Sequence, residues 1–214
     1  MLVFNPAIKT IVFDLGNVII DLDIERTWSS LKHYLGDNFF DTLKEIYPNG
    51  DVFIDFEIGI ISEKTFFETL QLASEQPLSI RALTEGWNAM LLTINPERFK
   101  MLLRLKEKYA VFLLSNTNET HVNFVDGYLQ TVFGFSIKEF DARYFNRVYY
   151  SHLIHLRKPN VSIYDYVIND AQIKPSETLF IDDNADNIKG VLTAGWHGYL
   201  HTIGEEIVEV MAVY

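Results

Sequence analysis

Five short apolar runs recur along this chain, and three of them stop on clusters of polar or charged residues. Ile8–Phe13 (IKTIVF) ends at Asp14, Ala110–Leu114 (AVFLL) runs into Ser115-Asn116-Thr117-Asn118, and Thr178–Ile181 (TLFI) runs into Asp182-Asp183-Asn184. Arg147–Tyr150 (RVYY) and the weaker Gly198–His201 (GYLH) complete the set. Short runs rich in β-branched and aromatic residues suit strands buried on both faces, the condition of a parallel sheet. Between them lie stretches of helical periodicity at Pro96–Lys108, Glu119–Gln130, Val161–Asn169 and Ala185–Ala194. Pro96 and Pro159 stand near helix starts, where proline is tolerated. Strands alternating with helices predict an α/β fold, a parallel sheet with right-handed crossovers and helices on both faces.

One segment breaks the alternation. From about Leu22 to Ile94 there is no convincing strand, only amphipathic stretches such as ERTWSSLKHYL, FFDTLKEIY and SEKTFFETLQLA. Each places apolar residues three and four apart, as a helix with one buried face requires. Ser62, with Glu63 just after it, is a helix start. The expected layout is a core of residues 1–21 and 95–214 with a helical insertion at 22–94.

Composition narrows the function. A chain of 214 residues fits one domain carrying an inserted module, and its net charge of −11 argues against nucleic-acid partners, which are held by Lys and Arg on phosphates. A small anionic substrate is compatible with that charge only where local cations or a metal override it. There is no cysteine, so thiol nucleophiles and thiolate metal sites are excluded, and a cytoplasmic location fits. No basic segment leads an apolar core at the N-terminus, and no stretch approaches the roughly 20 apolar residues of a membrane span.

In open parallel sheets, ligands bind at the carboxyl ends of the strands. The strand ends here bring Asp14, Ser115, the Lys158 that precedes Pro159, Asp182 and Asp183 to one rim. Asp14 and Asp183 are hard oxygen donors which, with a backbone carbonyl and waters, suit Mg²⁺. Lys158 neutralises one phosphate oxygen, and the Ser115 hydroxyl with nearby N–H groups holds another. Asp14 is then placed to attack phosphorus, since carboxylates form aspartyl-phosphates.

These motifs resemble those of the haloacid dehalogenase-like (HAD) hydrolase superfamily: FDLGNV at 13–18, LLSNTN at 113–118, RKP at 157–159 and FIDDNADN at 180–187. The resemblance spans nearly the whole chain. It implies a Rossmann-like core, with Asp14 as nucleophile and Ser115 and Lys158 as its catalytic companions. It also implies Mg²⁺ held by Asp14, Asp183 and the Gly16 carbonyl, with Asp182 in support. Asn17 and Asn116, in the same two loops, are the substrate-binding candidates. The helical insertion resembles the family's cap, and FEIGIIS and GWNAM resemble cap segments of sugar-phosphate phosphatases such as glucose-1-phosphatases. The expected function is therefore a Mg²⁺-dependent hydrolase of a small phosphorylated metabolite of sugar-phosphate type.

Gly16 departs from that pattern. Most phosphatases of the superfamily have a second aspartate there, which protonates the leaving alkoxide, a contribution of about 10²–10⁴-fold. A metal-independent 2-haloacid dehalogenase, whose halide product needs no proton, is one alternative. A binding protein that has lost efficient catalysis is another. The adjacent acids Asp182 and Asp183 weigh against the dehalogenase, because without a cation they crowd like charge against Asp14. Asp186 and Asn187 are expected no closer than behind the metal ligands, while His121, His152 and His155 are expected to pack or face solvent. Trp28, Trp87 and Trp196 are expected in the core.

Overall fold

The structure, a computed structural model, describes residues 2–74 and 76–214. Five strands form one parallel sheet: β1 (Thr10–Phe13), β2 (Ala110–Ser115), β3 (Arg147–Tyr150), β4 (Thr178–Asp182) and β5 (His197–Leu200), in the order β3-β2-β1-β4-β5. All five lie where the apolar runs place them, apart from small boundary shifts. The sheet ladder of β1 begins at Thr10 rather than Ile8, although Lys9 still bonds Glu177 and Ala110 through its backbone. The α/β class with helices on both faces is as expected. Among the described residues, no helix is long and apolar enough to cross a membrane.

Alternation along the strands builds the two faces. Ile11 and Phe13 join Val111, Leu113, Leu179 and Ile181 in one buried cluster. That cluster is roofed by helices α6 (Pro96–Lys106), α7 (Glu119–Phe133) and α8 (Ile137–Tyr144). Val12 turns the other way, with Phe112, Leu114 and Phe180, onto α10 (Val161–Ala171) and α11 (Ala185–Thr193). The four-residue α9 (Ser151–Ile154) lies between β3 and α10, and α12 (Ile207–Val210) near the C-terminus packs with the first cluster. Central strand β1 is in register at Phe13 with Leu113 on one side and Ile181 on the other. The next residue, Asp14, therefore leaves the sheet beside the end of β4.

Among the described residues between β1 and α6 lie five helices: α1 (Ile24–Leu35), α2 (Phe39–Ile46), α3 (Val52–Glu57), α4 (Glu63–Leu72) and α5 (Ile80–Asn88). They enclose their own apolar cluster, which includes Leu31, Phe56, Phe66, Phe67, Leu83 and Trp87. Ser62 and Ser79 cap α4 and α5 by accepting from the N–H three residues on, and Asp51 caps α3 by accepting from two N–H groups. The chain enters and leaves this unit through a narrow two-stranded neck. Leu22 bridges Leu91, Asp21 N donates to Thr93 O at 2.9 Å, and Leu92 N returns to Asp21 O at 3.0 Å.

Arg98 ties that neck to the core. Its buried guanidinium donates to Ile19 O at 3.1 Å, Asp21 Oδ1 at 2.8 Å and both carboxylate oxygens of Glu206. A guanidinium buried this deeply is tolerated because every face has an acceptor. Both acidic partners are partly solvated, so the loss on removing Arg98 falls below that of a fully buried pair. Arg98→Met is expected to cost about 2 kcal/mol in urea unfolding, and Arg98→Lys about half that, since lysine keeps charge but not the fork. Equal stability of all three proteins would contradict this account of the neck.

Candidate active site

The ends of β1, β2 and β4 and the start of the α10 segment meet at one point. There the Lys158 ammonium, with 1% of its surface exposed, lies between two carboxylates. Its Nζ is 2.7 Å from Asp14 Oδ1 and 2.7 Å from Asp182 Oδ2, with the Phe180 ring centroid 5.2 Å away. Asp182 is fully buried and its acceptors are filled: Asn184 N donates at 2.8 Å, and Asn187 Nδ2 reaches both oxygens at 3.0 Å. Asp183 is held separately, its Oδ2 accepting from Asn17 Nδ2 at 2.8 Å. One oxygen from each of Asp14, Asp182 and Asp183 falls within 4.8 Å of the others.

Two asparagines set these groups in place. Asn116 clamps the Lys158 backbone from both sides, accepting from its N–H at 2.9 Å and donating to its carbonyl at 3.0 Å. Asn17 adopts a left-handed conformation (φ 52°), one that asparagine tolerates better than most residues. Its side chain accepts from Leu22 N while donating to Asp183. Both amides are thus engaged with protein. What the same loops leave open is backbone: the N–H groups of Gly16 and Asn116 and the Gly16 carbonyl bond to none of the described residues. The Ser115 hydroxyl is buried, and its nearest acceptor, Asn116 O, is 3.5 Å away.

Burial pushes the Asp14 carboxyl up to about 7; Lys158 opposes the rise and Asp182 adds to it. Burial disfavours the Lys158 ammonium, but Asp14 and Asp182 outweigh that and hold its pKa above the ordinary lysine value. One ammonium facing three carboxylates leaves an excess of negative charge in a confined space. A divalent cation fits here: Asp14 and Asp183 offer hard oxygen donors, and the Gly16 carbonyl is an orphaned acceptor beside them.

Gly16 lies against the end of the Leu22 side chain. A Cβ placed on it would lie 2.6 Å from Leu22 Cδ1. Above it opens a cleft of about 370 Å³ between the sheet edge and the helical unit, floored by Leu15, Gly16, Ser115 and Asn116. Trp87 forms part of the wall and stacks on His121, with ring centroids 5.1 Å apart. His121 Nδ1 faces Asn118 Nδ2 at 3.2 Å and its Nε2 faces Trp87 O at 3.2 Å. That arrangement places the proton on Nε2. Burial lowers the His121 pKa to about 4, against a smaller opposing effect from the Trp87 carbonyl, so the ring is neutral. Glu57 at the end of α3 reaches Arg157 Nε at 2.6 Å across the cleft mouth.

The structure therefore gathers Asp14, Ser115, Lys158, Asp182, Asp183 and Gly16, while the Asn17 and Asn116 side chains turn to protein partners. Asn187 bonds Asp182, and Asp186 is exposed in the first turn of α11. His155 Nδ1 meets Ile58 O at 2.8 Å, and the His152 carbonyl abuts Gly59, so both serve packing against α3. His121, expected to pack or face solvent, packs: it is buried and stacks on Trp87. Its available signal was Asn118 three residues earlier, a helix cap whose side chain accepts from His121 N. Nothing local announces the Glu57–Arg157 pair, whose members lie 100 residues apart.

A family model described as haloacid dehalogenase-like hydrolase matches residues 8–195. A D-ribitol-5-phosphate phosphatase of Bacteroides thetaiotaomicron is 30% identical over 182 residues, 85% of each chain. A HAD-family enzyme of the same organism, crystallised with magnesium and inorganic phosphate, aligns with a TM-score of 0.80 at 32% identity, covering 95% of this chain and 98% of that one. The structure of a hydrolase from Porphyromonas gingivalis, predicted to be HAD-like, gives 0.81 at 30% identity over 96% of both chains.

The raised Asp14 pKa has a consequence for stability. Its folded value exceeds the unfolded one, so its contribution is complete below about pH 4 and is lost as pH rises through about 7. Asp14→Asn removes the charge that burial disfavours but also takes a partner from Lys158. In chelator the Tm of the variant relative to wild type is therefore expected to be more favourable at pH 8 than at pH 5. A relative Tm that does not rise between pH 5 and pH 8 would contradict this account.

Proposed function

The chain belongs to the haloacid dehalogenase-like hydrolases, and from that premise we propose that it is a Mg²⁺-dependent phosphomonoester hydrolase whose nucleophile is Asp14. The observation that carries this reading is the buried Lys158 between Asp14 and Asp182, with Asp183 close enough to share a cation with Asp14. A phosphate brought to this rim meets four kinds of partner. Lys158 and the N–H groups of Gly16 and Asn116 offset its charge, and the Ser115 hydroxyl donates to an oxygen. Asp14, Asp183 and the Gly16 carbonyl would hold Mg²⁺, which when bound offsets the repulsion between carboxylate and phosphate.

Asp14 then attacks phosphorus, and the alcohol leaves with the P–O electron pair. Water opens the resulting acyl phosphate and restores the carboxylate. Lys158 keeps the attacking carboxylate oriented through Oδ1, and Asn116 keeps Lys158 in place through its backbone. Asp182, filled by Lys158, Asn184 and Asn187, acts as the fixed anion against which the ammonium is aimed. The helices α1–α5 act as a cap over the cleft, with residues 22–94 as the inserted unit and 1–21 with 95–214 as the core. The phosphatase activity named for the relative at 30% identity supports a small phosphorylated metabolite as substrate, and the sugar-phosphate class is the reading that its name favours. A dehalogenase has no use for a third carboxylate at this point, and the carboxylate excess favours the phosphatase.

The test is release of phosphate from phenyl phosphate and from sugar phosphates with Mg²⁺ and with chelator. Activity is expected with Mg²⁺, to fall at least ~10³-fold in Asp14→Asn, and by ~10–10³-fold in Ser115→Ala, in line with loss of one oxyanion donor. Chloride release from 2-chloropropionate in chelator, without phosphate release, would establish the dehalogenase instead.

A further inference from the structure

We propose that Glu57, Arg157 and Thr117 form a polar edge of the cleft that reads the hydroxyl groups of the substrate's carbon chain. The inference rests on the phosphatase reading and deepens it, from the bond that is cut to the residues that select what carries the phosphate.

The three residues are distant in sequence and meet around one buried hydroxyl. Ser151 is fully buried at the start of α9, with its Oγ 2.7 Å from Glu57 O and 2.8 Å from Thr117 O, and Thr117 N donates to it at 2.8 Å. That contact holds the end of α3, in the helical unit, against the loop that follows β2. Glu57 then reaches Arg157 Nε at 2.6 Å. All three residues line the cleft above Gly16. They also adjoin the phosphate floor: Thr117 follows Asn116 and Arg157 precedes Lys158, and consecutive Cα atoms are about 3.8 Å apart. A chain attached to a phosphate on that floor therefore starts beside this edge.

The edge has bonding capacity that the fold does not use. The Glu57–Arg157 contact takes one carboxylate oxygen and one guanidinium nitrogen. Glu57 Oε2, both Nη groups of Arg157 and the Thr117 hydroxyl bond to none of the described residues. The two charged side chains are half-buried, Arg157 29% and Glu57 27% exposed, so they are reachable from the cleft yet shielded from much of the bulk water. A carboxylate oxygen accepts from one hydroxyl while a guanidinium donates to the next, and the threonine hydroxyl does either. Adjacent hydroxyls on a carbon chain offer that alternation.

The rest of the wall cannot make the choice. Trp28, Phe53, Trp87, Met90 and Leu91 suit the C–H side of a chain, but apolar surface by itself favours bare hydrocarbon over a polyol. A preference for hydroxyls must come from groups that are left unpaired when the hydroxyls are missing, and such groups discriminate far more strongly than an apolar pocket does. Glu57 and Arg157 also tie the helical unit to the core, and a latch has a different signature from a reader: its loss lowers turnover of every ester alike.

Ribitol 5-phosphate and n-pentyl phosphate are primary alkyl esters of equal chain length that differ in their hydroxyls. In the Mg²⁺-loaded protein kcat/KM is expected to be at least ~10-fold higher for ribitol 5-phosphate, mainly through KM, against the order that the apolar wall alone would give. Glu57→Leu and Thr117→Val should each shrink that ratio at least threefold. Glu57→Gln, which keeps an acceptor for Arg157, should retain more of it than Glu57→Leu. A ratio unmoved in Glu57→Leu and Thr117→Val, or pentyl phosphate as good a substrate as ribitol 5-phosphate, would overturn the proposal while leaving the phosphatase reading intact.

Failure of both alkyl esters and of phenyl phosphate to release phosphate with Mg²⁺ would instead sink the phosphatase reading. Where the alkyl esters are not turned over, binding decides the role of the edge. In Asp14→Asn, fluorescence of Trp28 and Trp87 should report ribitol 5-phosphate binding at least ~10-fold tighter than pentyl phosphate. Equal or reversed affinities, or binding of neither, would overturn the proposal.

Discussion

The site depends on one buried ammonium. Lys158 lies in a water-poor pocket where an isolated charge would cost several kcal/mol, and it is tolerated because Asp14 and Asp182 meet it at 2.7 Å each. That arrangement is lopsided. Asp182 has every acceptor occupied by Lys158, Asn184 and Asn187, so it is a fixed structural anion. Asp14 has fewer partners and is the carboxylate whose charge burial opposes. A carboxylate beside a single cation, with further negative charge close by at Asp183, leaves an excess that another cation can offset. The parallel sheet supplies the geometry, since the register of β1 with β4 puts Asp14 beside Asp182 at the same edge.

Much of this was legible in the sequence, because apolar runs that stop abruptly on acids are a strong signal. β1, β2 and β4 are buried on both faces, so their hydrophobic character ends where burial ends, at Asp14, Ser115 and Asp182. The Gly16-Asn17 pair was also informative, since Asn17 takes the left-handed conformation that turns the chain back toward Leu22. Less legible was the use of the asparagines. From sequence, Asn17 and Asn116 are substrate candidates; in the fold their amides position Asp183 and Lys158, across separations of 166 and 42 residues. Helix α3 is too short to show a period, and α8 lies outside the helical stretches that the sequence predicts. His121 looked unremarkable because its meaning depends on stacking against Trp87, which belongs to the helical unit inserted after β1.

The neck and the cleft connect fold to chemistry. Leu22 both bridges Leu91 in the neck and fills the space beside Gly16. The same residue therefore helps join the helical unit to the core and packs against Gly16. Trp87 likewise packs with Phe53 and Phe66 inside the helical unit while presenting a face to the cleft. Residues that stabilise the unit are thus the ones that shape the cleft above Gly16, so the cleft's form is tied to packing.

The central claim is that Asp14 carries the phosphoryl group. Its most direct test is to mix the Mg²⁺-loaded protein with phenyl phosphate, quench in acid within the first turnovers, and map the adduct by mass spectrometry of peptides. The account predicts one phosphoryl group on the peptide containing Asp14, lost in Asp14→Asn and in chelator. A phosphoryl group on Ser115, or turnover with no acid-stable or reductively trapped adduct at Asp14, would contradict it.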